Sequence, residues 1–171
     1  MNDYRITVGG IEEGTHSFIF NIKDSFFKAF NKTEIRHANI IATVLLKKEN
    51  NKLALSIELN GVVNNLLCDI CAEDISLDIS SITKMMIKET SENLESTDEI
   101  IYINKNENKL SLEHLLFELI TLSVPNRRKH PLNEDGTTNC SKEMIRLIDK
   151  YNIGSKVSDP RWDTLKNLKI K

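Results

Sequence analysis

Apolar and polar residues alternate with a period of two through most of the first hundred positions, and the pattern changes to helical spacing after residue 110. Residues 5–8 predict a short strand and Gly9-Gly10 a turn. Residues 16–22 predict a half-buried strand with Phe18, Phe20 and Ile22 on one face. Asp24 or Ser25 is expected to cap a short helical turn that points Phe26, Phe27 and Phe30 inward. Residues 39–59 read as a hairpin. Glu49-Asn50-Asn51 supplies the turn, and Leu53, Leu55, Ile57 and Leu59 alternate with Ala54, Ser56, Glu58 and Asn60. Gly61 is expected to mark a bulge before Val62-Val63. Ile75, Leu77 and Ile79 then alternate with Ser76, Asp78 and Ser80 in a second hairpin that continues to Met85-Met86-Ile87. The polar stretch 91–97 reads as a loop, 99–103 as a further strand and 104–109 as another loop.

Ser111 then stands where it could cap a helix whose Leu112, Leu115, Leu116, Leu119 and Ile120 form one apolar face. Pro125 ends that helix, because its ring disfavours the helical conformation of the residue before it. Ser141 is placed to cap a second helix with Met144, Leu147 and Ile148 inward. Asp159-Pro160 is placed to open a short last helix carrying Trp162, Leu165 and Leu168. Strands early and helices late predict an α+β fold, a largely antiparallel β-sheet with helices concentrated in the C-terminal part. The expected organisation is one domain over residues 1–150, followed by a linker and a short basic helix over 151–171.

A chain of 171 residues is long enough for one core, and 40% apolar with 28% charged residues is an ordinary globular balance. The start of the chain lacks the features of a secretory signal, and its longest apolar run, 40–46, is too short to span a bilayer. A soluble, cytoplasmic protein is expected, with no membrane partner. The net charge of −2 hides an asymmetry. Residues 1–125 carry 12 Lys+Arg against 19 Asp+Glu, or −7, whereas residues 126–171 carry 11 against 6, or +5. A basic segment on an acidic body suits an RNA or anionic-surface contact, and equally a solvated tail.

Two of the three cysteines, Cys68 and Cys71, form a Cys-x-x-Cys at a junction between strands. Such a turn lets two thiolates grip one zinc ion, and His130 with Cys140 would complete a Cys₃His set. Buried inert cysteines or an empty relic of such a site remain the alternative. A redox role is disfavoured: both flanks read as strand rather than helix N-terminus, and Asp69, Glu73 and Asp74 oppose a thiolate. His16, His37 and His114 have no nucleophile or carboxylate pattern around them and read as structural or surface groups. No phosphate loop, nucleophile elbow or His-Glu-x-x-His occurs. Arg127, Arg128 and Lys129 put three cations in an extended loop after a helix, with guanidinium groups suited to phosphate. Arg161 beside Trp162, then Lys166, Lys169 and Lys171, continue the charge, although Trp162 could equally pack in a core.

Together these pieces resemble the YceD family of large ribosomal RNA subunit accumulation proteins, in a Bacteroidetes-like form. The similarity is carried by Gly9 with Glu13-Gly14, His16-x-Phe18-x-Phe20 and Phe26-Phe27; by Gly61 before Cys68-Asp69-x-Cys71; and by Glu118-Leu119-Ile120. It continues through Val124-Pro125-x-Arg127-Arg128-x-His130-Pro131, Cys140 and Asp159-Pro160-Arg161-Trp162-x-x-Leu165. The resemblance implies a non-enzymatic factor that supports accumulation of 23S ribosomal RNA and biogenesis of the large ribosomal subunit. Its partners would be that RNA or a pre-ribosomal particle, and ribosomal proteins. It also favours zinc at Cys68, Cys71, His130 and Cys140. Relatives often carry Arg where this chain has Ile70, which removes one candidate RNA contact. The reading that emerges is an RNA-associated assembly factor whose clasp pins the loop after the long helix and presents Arg127, Arg128 and Lys129. A protein-interaction module binding a ribosomal protein or nuclease through the acidic body is the alternative.

Overall fold

A computed structural model describes residues 4–31, 33–92 and 94–152. The elements run β1 (Arg5–Thr7), β2 (Gly14–Lys23), α1 (Asp24–Phe27), β3 (His37–Glu49), β4 (Lys52–Leu67), β5 (Asp74–Thr90), β6 (Ile100–Asn104), β7 (Lys109–Ser111), α2 (Glu113–Ser123) and α3 (Lys142–Asn152). The chain divides into two compact units. One holds residues 1–66 and 74–126; the other holds residues 67–73 and the chain from Arg127 onward. The fold class is α+β, with a mostly antiparallel sheet, as the order of periodicities predicts.

The first unit is built on a five-stranded sheet in the order β2-β3-β4-β5-β6, with β1 and β7 forming a separate two-stranded antiparallel pair. The 39–59 hairpin is present and longer than its alternation implies, running from His37↔Asn64 to Glu49↔Lys52. Its two-residue turn uses Asn50 at φ 51° and Asn51 at φ 60°, the left-handed pair that matches strand twist. Ile40, Ala42, Val44 and Leu46 of β3 and Leu53, Leu55, Ile57 and Leu59 of β4 are buried, so one face of the sheet carries the core. The strand read at 99–103 forms β6 and lies parallel to β5, Met86 opposite Ile100.

Leu112, Leu116 and Ile120 of α2 join this core, with Leu115 and Leu119 half-buried beside them. Phe26 and Phe27 of α1 are buried there as well, in an aromatic cluster with Tyr4, Phe30 and Phe117. The chain leaves α2 at Val124, whose ψ of 127° is the extended conformation that a following proline favours.

Several local expectations are overturned. Ser111 does not cap α2, because it is drawn into β7 opposite Arg5, and the N-cap position falls to Leu112, held by its N–H to Tyr4 O at 2.8 Å. Neither Asp24 nor Ser25 caps α1, whose N-cap is Lys23; Asp24 instead accepts from the Ala38 N–H at 3.1 Å and pairs with His37. Gly61 marks no bulge against β3. Pairing runs through it in one unbroken register, Ile40↔Gly61, and a Cβ there would collide with Asn39 O and Ile40 Cα of the adjacent strand. The glycine is needed for close strand approach. In α3, Met144 and Ile145 are half-buried while Leu147 and Ile148 are 41% and 37% exposed, so the inward face is rotated from the expected one. The three other histidines, expected to be structural or surface groups, make local contacts: His16 bonds Glu12 O, His37 pairs with Asp24, and His114 meets Phe30 edge-on.

The Gly61 contact generates a stability prediction. Gly61→Val is expected to lower the denaturant midpoint and cost about 1–3 kcal/mol, since the strand has no room for the added methyls. An unchanged midpoint would show that β3 and β4 can separate there without loss.

Candidate metal centre

Among its described residues, the second unit has almost no apolar interior. Its buried residues, among those described, are Cys68, Cys71 and Cys140, with Ile70, Met144 and Ile145 packed against them. Why these three thiols meet is local. After β4, Cys68 N–H donates to Glu73 O at 2.9 Å and Ala72 N–H donates to Cys68 O at 2.9 Å, closing a tight turn with Ala72 at φ 56°. The Ile70 N–H points at Cys68 Sγ, 3.5 Å away. Both sulfurs are thereby held on one turn.

His130 and Cys140 are brought together by a small hairpin between them. Leu132 bridges Thr138 antiparallel, Asn133 N–H donates to Thr137 O at 2.8 Å, and Gly136 takes the left-handed corner at φ 79°. Asp135 Oδ1 accepts from both the N–H and the hydroxyl of Thr137, which fixes the corner and holds its carboxyl below the usual range. Cys140 N–H donates to Thr138 Oγ1 at 3.1 Å, and Ser141 O accepts from Ile145 N–H as α3 begins. The loose ten-residue gap between His130 and Cys140 in the sequence is thus a folded-back loop.

The two halves are joined by Asp69. Its N–H donates to Arg128 O at 2.8 Å and its carboxylate accepts from Arg128 N–H at 2.7 Å, pairing the cysteine turn with the chain just before His130. Sequence reasoning missed this role by counting Asp69 only as a charge hostile to a thiolate. The readable signal was a short carboxylate inside a turn, where such side chains commonly accept backbone amides.

The ligand atoms of Cys68, Cys71, His130 and Cys140 all lie within 4.8 Å of one another, so the four residues could hold a metal ion. Cys68 Sγ and Cys140 Sγ are 3.8 Å apart, and a tetrahedral site with metal–sulfur bonds of about 2.3 Å has sulfur–sulfur edges of about 3.8 Å. All three cysteines are free thiols. His130 Nε2 is buried with no hydrogen-bond partner. A buried ring nitrogen without a partner is costly, and coordination is the way this set can satisfy it.

The electrostatics agree. Burial alone would raise Cys68, but amide donors from Cys71, Ile70 and His130, together with the Cys71 side chain, outweigh it and bring the thiol down to about 6. The Thr138 hydroxyl works to lower Cys140, yet burial and the neighbouring sulfurs of Cys68 and Cys71 overcome it and push that thiol up. One sulfur is ready as thiolate, and the next resists a second negative charge. A cation at the centre would remove that resistance.

Of the cations read in the sequence, Arg127 and Lys129 are exposed and Arg128 is half-buried, all on the segment that ends at His130. Arg161, Lys166 and Trp162, with the rest of the expected final helix, lie outside the described residues. Among the described residues, no helix is long and apolar enough to cross a membrane.

Metal uptake must displace the proton from Cys140, so affinity is expected to rise with pH across the neutral range and a binding isotherm should show proton release. Removing the Asp69 carboxylate in Asp69→Ala leaves all four ligands in place and is expected to weaken metal binding about 10- to 100-fold. A chelator competition assay checks it; unchanged affinity would show that the Arg128 pairing does not orient the site.

No curated protein and no solved structure matches the chain. The family described as large ribosomal RNA subunit accumulation protein YceD matches residues 55–169, a stretch that contains all four candidate ligands and the cationic loop. By that match over most of its length, the chain belongs to the YceD family.

Proposed function

We propose that this protein is a non-catalytic factor that binds large-subunit ribosomal RNA, or a pre-ribosomal particle containing it, and that a zinc ion shapes the contact. Family membership supports the ribosomal role, since the family is named for accumulation of the large ribosomal subunit RNA. The observation that carries the RNA reading is the run Arg127-Arg128-Lys129 leading directly into the candidate ligand His130, with Arg128 backbone-paired to Asp69 inside the Cys-x-x-Cys turn. Cations on a segment fixed at both sides lose little entropy on meeting phosphate. Guanidinium groups add bidentate geometry. Arg161 and Lys166 extend the positive charge of the C-terminal quarter.

Three thiolates and an imidazole suit zinc, and four protein ligands fill the tetrahedron. Such a closed site supplies structure rather than an open position for substrate, which supports a non-catalytic role. Zinc would act here by holding Cys68, Cys71, His130 and Cys140 at one point, so that the cationic segment keeps one conformation.

Elemental analysis of purified protein is expected to find one zinc per chain, lost in Cys140→Ser. RNA affinity is expected to fall steeply with salt, and Arg127→Ala with Lys129→Ala to weaken binding and reduce the salt slope by about 2. Crosslinking in cells followed by sequencing should enrich large-subunit ribosomal RNA. Affinity for the particle that is flat in salt, with no RNA enriched, would favour an apolar protein interface instead.

A further inference from the structure

The first unit contains a cleft of about 410 Å³ that the metal centre does not explain, formed by α1, the connection after it and the start of β3. Its size falls within the range of small-molecule sites, about 300–1,000 Å³. Phe27, Phe30 and Ile35 supply apolar lining. Phe27 and Ile35 are buried, and Phe30 is clamped against Phe117 with centroids 4.0 Å apart and planes 8° from parallel. That side of the cleft is a rigid aromatic and aliphatic floor.

Lys28 and Arg36 line the same cleft; both are exposed, and among the described residues neither side chain makes a hydrogen bond or ion pair. The carboxylate on the lining, Asp24, is already engaged by His37 Nδ1 at 2.9 Å and the Ala38 N–H at 3.1 Å, and these partners hold its carboxyl below the usual range. It stays ionised, so the lining sets two cations, Lys28 and Arg36, against one carboxylate that is already engaged. Asn31 and Thr33 add amide and hydroxyl groups able to donate and accept.

An apolar floor, a cationic rim and a few neutral polar groups match the three parts of one nucleotide. A base offers a π-face to stack on aromatic carbon, an edge to hydrogen-bond, and a phosphate for a guanidinium and an ammonium to grip. We propose that this cleft takes one unpaired nucleotide, its base against Phe27, Phe30 and Ile35 and its phosphate at Lys28 and Arg36. Where that nucleotide is part of an RNA strand, the inference rests on the RNA-binding reading above; a free nucleotide has the same chemistry.

The test uses the full-length protein with nitrogen-15 label, titrated separately with uridine 5′-monophosphate, single-stranded decauridylate and inorganic phosphate, reading backbone amide shifts. Amides over residues 28–37 are expected to shift with the monophosphate and the oligomer, and Lys28→Ala with Arg36→Ala to weaken both by about tenfold or more. The two substitutions are on exposed residues, and an unchanged amide spectrum elsewhere verifies the fold. Tighter binding of the oligomer assigns the cleft to an RNA strand, and equal affinities assign it to a free nucleotide. Inorganic phosphate reproducing the whole shift pattern, or silence of these amides with every probe, would overturn the proposal. In the second case, RNA binding lost in Arg127→Ala with Lys129→Ala would leave the ribosomal RNA reading standing. Monophosphate shifts at the cleft in a protein that retains no RNA would do the reverse.

Discussion

Three buried sulfurs and a half-buried imidazole, with ligand atoms no more than 4.8 Å apart, are what the described residues of the second unit have in place of a hydrophobic core. Apolar burial yields roughly 25 cal/mol per Å², and the described residues of this unit, of which three cysteines are buried, gain little from it. Small folds of this kind depend on a metal or on crosslinks, and for metal-dependent ones the binding free energy is folding free energy. The turn at Cys68, the hairpin between His130 and Cys140 and the Asp69–Arg128 pairing bring that convergence about.

The first unit has no such dependence. Its strands alternate cleanly, its tight turn uses the two asparagines that tolerate left-handed backbone, and its core of β-branched and leucine side chains is sealed by an aromatic cluster. The described parts of the two units thus differ in kind, one built on apolar surface removed from water and the other on a cluster of soft donors that could hold a metal ion.

The segment that supplies a ligand imidazole also carries Arg127, Arg128 and Lys129, so whatever fixes His130 also fixes where those charges point. Asp69 makes the connection concrete, because one residue inside the cysteine turn both gives its N–H to Arg128 and takes the Arg128 N–H in return. Positive charge offered to a polyanion is most useful when its geometry is set before contact.

Much of this was legible in the residues themselves. Period-two alternation gave the 39–59 hairpin, helical spacing gave the face of α2, and Pro125 gave its end, because each signal is local and no distant partner competes with it. The four candidate ligands could be named from residue type, since little else in the chain offers sulfur. Tertiary structure decided the rest. Ser111 and Asp24 look like helix caps, but strand pairing with Arg5 and the amide of Ala38 claim them. Gly61 reads as a bulge until β3 lies against it. Which face of α3 turns inward depends on where the thiols stand, and nothing in its own spacing says so. Above all, spacing could not tell whether His130 and Cys140 approach Cys68 and Cys71, because chain separation fixes only how far two residues can be, and folding alone sets how near they are.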